Sequence, residues 1–248
     1  MTQLFTRLYG LFAYLVFFLT FLYMIGFIGG FGVPKTLNSG PEPHAAIALA
    51  VNMALLGLFA VQHTVMARGR FKRRWLRIVS WRVERSTYVL TASLILILLF
   101  WQWRPMPHPI WDLTGTLLNL PLRLLSLAGW AIVLLSTFNI DHLDLFGLRQ
   151  SFAAPGRRPS PPAGLVISGF YRFVRHPLLL GFLVAFWSTP LMTAGHLLFA
   201  AANTVYIIIG IHFEERDLGR RFSEYAAYRK RVPMLFPLPG RKAKKRSA

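Results

Sequence analysis

Four stretches of this chain place ionisable side chains at the ends of long apolar runs. They are His63 within "GLFAVQHTVMAR" (Gly57 to Arg68), "FNIDHLDLFGLRQ" (Phe138 to Gln150), "GFYRFVRHP" (Gly169 to Pro177), and Glu214 with Glu215 directly after the run Val205 to Ile211. Charged groups at membrane depth are costly unless paired or set in a wet cavity, so such groups mark candidate binding or catalytic sites. Carboxylates accept hydrogen bonds, guanidinium groups donate them, and imidazole does either near neutral pH. Together they suit a charged ligand and a proton transfer. Taken singly, each has an ordinary reading: first-turn carboxylates, a basic flank before a span, a helix cap at Asp141–Asp144, an interfacial histidine at His63. Their convergence at one membrane depth gives them weight.

The elements that must position these groups follow from composition. The 248 residues are 54% hydrophobic with a mean hydropathy of +0.46, outside the usual soluble range. A span needs about 20 apolar residues, and six stretches qualify or come close: 8–30, 45–66, 86–103, 122–139, 177–191 and 196–213. The expected fold is an all-α, polytopic integral membrane helical bundle of about six transmembrane helices. The last two, separated only by the region from Thr189-Pro190 to Gly195, read as a helical hairpin. The first run, Leu8 to Ile28, is longer than the h-region of a signal peptide and is expected to remain as a membrane helix.

Basic residues collect in cytoplasmic loops. Six spans with a cytoplasmic N-terminus leave only Lys35, Arg104 and Arg123 of the 28 Lys and Arg outside. Both termini are therefore expected in the cytoplasm. The net charge of +19 is interrupted by apolar runs and forms no continuous basic face, which argues against nucleic acid. Trp101, Trp103 and Trp111 suit an interfacial belt, and the tail "RKAKKRSA" suits anionic lipid headgroups. The chain has no cysteine, and its His and Asp residues lack a recognisable three- or four-ligand spacing, so no metal is expected.

The hairpin returns Glu214 and Glu215 to the depth of His176, whose neighbour Pro177 fits the first turn of a helix. Beyond them, Leu218, Phe222, Tyr225 and Tyr228 recur at helical spacing, and Pro233 ends the pattern. A further cytoplasmic amphipathic helix, beginning at the acids and folding back as a cap over the hairpin mouth, is expected. The organisation is a single membrane domain over 1–248: helices over 1–140, a C-terminal region with hairpin and cap over 141–237, and the polybasic tail over 238–248.

Arg175-His176-Pro177, the hairpin, and the run Glu214-Glu215 through Leu218, Phe222, Tyr225, Tyr228, Val232-Pro233 and Pro237 resemble the C-terminal signature of the integral-membrane methyltransferases, which include isoprenylcysteine carboxyl methyltransferases and phospholipid methyltransferases. "GLFAVQHTVMAR", "ERSTYVL" (Glu84 to Leu90), "FWQWRP" (Phe100 to Pro105) and "HLDLFGLRQ" (His142 to Gln150) extend the likeness over nearly the whole chain, to the bacterial methanethiol S-methyltransferases. One departure is Asp141, where the likeness leads to Asn.

The resemblance implies S-adenosylmethionine as methyl donor, S-adenosylhomocysteine as product, and a small thiol as acceptor: methanethiol going to dimethyl sulfide, with hydrogen sulfide as a further acceptor. It also implies the bacterial inner membrane. For the donor it implies Glu214 or Glu215 at the amine or ribose, Arg175 and His176 at the carboxylate beside Pro177, and the rings of Tyr171, Tyr225 and Tyr228 near the sulfonium or adenine. A thiol no more acidic than cysteine, pKa about 8.5, is mostly protonated at neutral pH and needs a base or a positive field. His142 is the expected general base, oriented by Asp144 or Asp141, with His63 and Arg149 as further substrate or base candidates. Other members of the wider superfamily suggest two alternatives, a lipid or isoprenylcysteine acceptor and a non-catalytic protein of nitrogen-oxide or haem metabolism.

Overall fold

The computed structural model describes residues 2–154 and 164–236. Pro237 and the polybasic tail lie outside the described residues. In chain order the elements are α1 (Gln3–Gly29), α2 (Ala45–Ala67), α3 (Gly69–Trp75), α4 (Trp81–Gln102), β1 (Pro109–Asp112), α5 (Asn119–Ile140), the short α6 (His142–Leu145) and α7 (Leu148–Phe152), a 3-10 turn at Gly169–Arg172, α8 (Pro177–Trp187), β2 (Leu191–Thr193), α9 (Ala194–Arg221) and α10 (Tyr225–Arg231). Among the described residues, α1, α2, α4, α5 and α9 are long and apolar enough to cross a membrane. The protein is a polytopic helical membrane bundle, as its sequence leads one to expect. Thr2, Ser80 and Thr193 cap α1, α4 and α9 with side-chain oxygens that accept backbone N–H groups, and Pro177 occupies the first turn of α8.

Side-chain contacts define two ends. At one, Arg82 reaches the Ser151 carbonyl, Thr6 donates to the same carbonyl, and Arg68 pairs with Asp217 at 3.7 Å, which gathers the starts of α1 and α4 with the ends of α2 and α9. At the other, Thr193 donates to Asn38, the Arg104 backbone N–H donates to Asn52, and the indole of Trp111 donates to the Thr189 carbonyl. Lys35 also lies there, donating to the Trp101 carbonyl. We call these the basic end and the hairpin end.

The hairpin differs from expectation in its ascending arm. α8 has 11 residues, about 16 Å at the helical rise, roughly half of a 30 Å hydrocarbon core. Thr189 precedes Pro190 and is therefore pushed out of helical geometry. The chain then runs extended as β2, pairing antiparallel with β1 in the register Pro109↔Thr193 and Asp112↔Leu191. Where a bare turn was expected, a two-stranded clip closes the hairpin. Trp103 is likewise no interfacial aromatic: it is fully buried and donates to the Leu37 carbonyl at 3.2 Å, while Trp101 remains exposed.

The short arm is held by close backbone approach. A Cβ at Gly129 of α5 would lie 2.6 Å from the Ala185 nitrogen, and one at Gly181 of α8 would lie 2.7 Å from the Gly129 carbonyl. Small residues at membrane helix crossings permit such packing, which replaces the hydrophobic drive that lipid removes. Because both obstructions are backbone, a side chain cannot be accommodated by a rotamer change. Gly181→Leu is expected to lower the midpoint of thermal unfolding in detergent and to destabilise by at least the 1–3 kcal/mol typical of overpacking; a midpoint equal to wild type would refute the close crossing.

Candidate active site

The basic end holds two groups of functional side chains. The first sits at the hairpin mouth. Glu215, buried on α9, accepts from the Arg175 Nε and Nη2 at 2.7 Å each and lies 3.2 Å from His176 Nε2 and 3.5 Å from Arg229 Nε. Glu214 projects with 55% of its side chain exposed, its nearest partner being His176 Nδ1 at 3.5 Å. The depth-matching expected of the hairpin is therefore met, and the two adjacent acids are unequal: one is enclosed by cations, the other is open.

Helix geometry at the mouth differs from the sequence expectation. No proline separates Ile211 from Arg221, and α9 continues through the glutamates and Gly219, so the acids lie inside it and do not start a new helix. The chain turns at Phe222, and α10 has only seven residues. It still folds back as a cap: the Arg175 and His176 N–H groups donate to the Pro233 and Met234 carbonyls, Arg175 Nη1 donates to the Val232 and Arg229 carbonyls, and the Tyr228 hydroxyl donates to the Tyr171 carbonyl at 2.7 Å. Arg175 and His176 are thus engaged by Glu215, Glu214 and main-chain oxygens. Tyr225 and Tyr228 are buried, so their ring faces hold the cap and are not presented to a ligand. Burial pushes the Tyr228 phenol up to about 12 and raises those of Tyr171 and Tyr225 above their ordinary range. All three stay protonated. The Tyr225 hydroxyl is buried beside Glu215. Glu214 and half-buried Tyr171 supply the open polar functions at the mouth.

The second group surrounds His142. Gly147, at φ 85°, turns the chain between α6 and α7 with Ser86 so close that a Cβ would lie 2.6 Å from its nitrogen, which fits only glycine. The turn brings α6 under α1. The His142 ring stacks on Phe138 at 4.3 Å and meets Phe146 edge-on. Its Nδ1 lies 2.7 Å from Thr137 Oγ1 and its Nε2 lies 2.9 Å from the Tyr14 hydroxyl. Thr137 Oγ1 donates its own proton to the Leu134 carbonyl at 2.6 Å, so it can only accept from the ring. The proton is therefore on Nδ1, and Nε2 carries the free lone pair, accepting from Tyr14. Burial lowers the His142 pKa, and Asp141 opposes this without reversing it.

The expected orienting carboxylates are elsewhere. Asp141 pairs with Arg149 at 2.6 Å and caps α6 by accepting from the Asp144 N–H, while Asp144 accepts from Gln150 Nε2 at 3.0 Å. Thr137 and Tyr14 hold the ring because they lie one turn away on α5 and directly opposite on α1. The sequence contained both, but no spacing rule links a threonine five residues upstream, or a tyrosine on the first helix, to this histidine. Arg149, tied to Asp141, does not line the cavity described next.

That cavity, about 330 Å³, lies between α1, α2, α4, α5, α8 and α9. His142, Thr137, His63, Arg85 and Tyr206 line its basic end. His63 Nε2 meets the Tyr88 hydroxyl at 2.9 Å, and its Nδ1 is buried with no partner among the described residues. The Arg85 guanidinium sits 5.0 Å over the Tyr88 ring and donates to the Leu145 carbonyl. Arg85, Tyr88 and Tyr206 were not among the residues expected at the site, although "ERSTYVL" contains the first two. From Tyr206 to Glu214 is eight residues of α9, about 12 Å, so mouth and cavity share one helix. Among the described residues no group of three or more His, Asp or Glu could hold a metal ion.

No protein-family model matches the chain, and no solved structure does. Curated sequences do. The chain is 54% identical over 232 residues to methanethiol S-methyltransferase 1 of Bradyrhizobium diazoefficiens, covering 93% of this chain and 81% of that one. It is 50% identical over 242 residues to methanethiol S-methyltransferase of Mycobacterium tuberculosis, covering 97% and 99%. A more distant likeness, 25% over 181 residues, joins it to Nurim of Xenopus laevis. With half of its residues shared over almost its full length, the chain belongs to the methanethiol S-methyltransferase family.

Proposed function

We propose that this protein methylates the sulfur of methanethiol with S-adenosylmethionine as donor, releasing dimethyl sulfide and S-adenosylhomocysteine, in a bacterial inner membrane with both termini in the cytoplasm. The observation that carries this reading is the His142 ring: a neutral imidazole with Nε2 fixed as acceptor, at the polar end of an otherwise apolar cavity. When bound, S-adenosylmethionine supplies a methyl group on a sulfonium, open to displacement by sulfur. The side chain suited to hold it is Glu214, whose exposed carboxylate matches the amine, with Tyr171 beside it. The donor set at the mouth fits a cationic, polar ligand arriving from the cytoplasmic side.

The chain's own residues then handle the acceptor. A thiol at the basic end of the cavity, which His142 lines, gives its proton to His142 Nε2, the nitrogen that the Tyr14 hydroxyl marks as an acceptor, and the Arg85 guanidinium supplies the positive field that favours thiolate. Nδ1–H, bonded to Thr137, stabilises the imidazolium that forms. The apolar lining keeps water out, and a reaction in which opposite charges cancel is favoured in such surroundings.

His142→Ala is expected to reduce turnover about 100-fold or more, the lower range for acid–base catalysis, with donor affinity unchanged. The defect should shrink as pH rises toward the thiol's own pKa, at or above cysteine's value of about 8.5; a constant defect from about pH 6 to 10 would assign His142 to positioning alone. In wild type, protonated His142 cannot accept a proton, so activity is present above its depressed pKa and lost as pH falls through it. The acidic limb of kcat/KM is therefore expected below pH 6.5. Glu214→Gln is expected to weaken S-adenosylhomocysteine binding in a calorimetric titration with the unfolding temperature unchanged. Glu215→Gln should instead destabilise by roughly 3–5 kcal/mol, the effect of removing one partner from a buried ion pair. Headspace gas chromatography of purified protein supplied with labelled donor and methanethiol tests the activity: labelled dimethyl sulfide is expected, and none above the protein-free control would reject the reading.

A further inference from the structure

The cavity is much longer than methanethiol requires. On α4 its lining runs from Arg85 to Leu99, fourteen residues, about 21 Å at the helical rise. Polarity is divided along that length. Arg85, His63 and His142 mark one end, while Met24, Leu99 and Phe199 mark the other, with Leu96 between them. The few polar side chains midway are turned onto their own helices: Thr20 donates to the Val16 carbonyl, Ser93 to the Val89 carbonyl and Asn203 to the Phe199 carbonyl. The distal slot is therefore an apolar channel leading away from the base.

We propose that this slot takes the tail of a larger apolar thiol, so that the enzyme S-methylates medium-chain alkyl thiols as well as methanethiol. The proposal rests on the methyltransferase reading above. The chemistry is the same: the thiol S–H proton goes to His142, a methyl–sulfur bond forms to the thiol, and the methyl–sulfonium bond breaks with its electron pair returning to the donor sulfur. The tail lies along Leu96 and Leu99 while the sulfur stays at the polar end. Removing one methylene from water contributes about 0.8 kcal/mol, so each added methylene is expected to raise kcat/KM about fourfold until the slot is full.

The test compares methanethiol, 1-propanethiol, 1-butanethiol and 1-hexanethiol with the full-length protein in nanodiscs, thioether products being quantified by gas chromatography. Longer thiols also concentrate in the bilayer, which alone would produce a gradient. Leu96→Trp separates the two effects, because it fills the distal slot and leaves the bilayer unchanged; Leu96→Phe serves if the tryptophan variant does not fold. A rise of about fourfold per methylene in wild type that flattens in the Leu96 variant supports the proposal. A gradient equal in both proteins, or methanethiol turnover with no thioether from hexanethiol, overturns it. Absence of turnover with every thiol overturns the underlying enzyme reading as well.

Discussion

A buried carboxylate is tolerated only with cations and donors around it, and Glu215 is the point on which this architecture turns. Isolated in a medium of low dielectric, its charge would cost several kcal/mol; surrounded by Arg175, His176 and Arg229 it becomes a clasp. The clasp joins three segments: the entry to α8, the extension of α9 at the basic end and the cap α10. Arg175 reaches further, to the carbonyls of Arg229 and Val232, so the cap is held by main chain as well as by charge. Enclosing one acid leaves its neighbour open. A helix turns about 100° per residue, so adjacent glutamates cannot share one environment, and the fold uses Glu215 for structure and presents Glu214 to solvent.

The same division of labour appears around His142. Its tautomer is set by a threonine whose own proton is engaged by the Leu134 carbonyl, and its basicity by burial among aromatic rings. The charged and imidazole groups face the cavity at its basic end, where proton transfer is needed, while the Thr20 and Ser93 hydroxyls further along donate to their own helices. The glycine crossing of α5 and α8 is part of this arrangement. It draws the short arm against the helix that carries Thr137, so the wall containing Phe182 and Phe186 closes over the cavity.

Much of this was legible in the sequence. Hydropathy located the five long spans, and the hairpin brought His176 to the glutamates, because membrane thickness and helical rise together fix where a returning chain arrives. Two kinds of feature were not legible. The length of α8 and the continuity of α9 through Glu214 depend on local competition between a pre-proline residue, a two-stranded clip and an unbroken helix, which hydropathy does not resolve. The partners of His142 depend on which helices touch, and Tyr14 is separated from it by 128 positions. The acidic neighbours Asp141 and Asp144 were the nearest candidates in sequence, yet a cap and Arg149 engage Asp141, and Gln150 engages Asp144. Proximity in sequence is a poor guide to an imidazole's partners when the ring sits at a helix end and its faces meet other spans.

The central claim is that the enclosed acid builds the mouth while the open acid receives the donor, whose reacting sulfur faces the cavity. An experimental structure with S-adenosylhomocysteine bound addresses it most directly. The account predicts the homocysteine amine within hydrogen-bonding distance of Glu214, Glu215 still held by Arg175 and His176, and the sulfur directed toward the end of the cavity that holds His142. A ligand that displaces Arg175 from Glu215, or whose sulfur points away from that cavity, would contradict it.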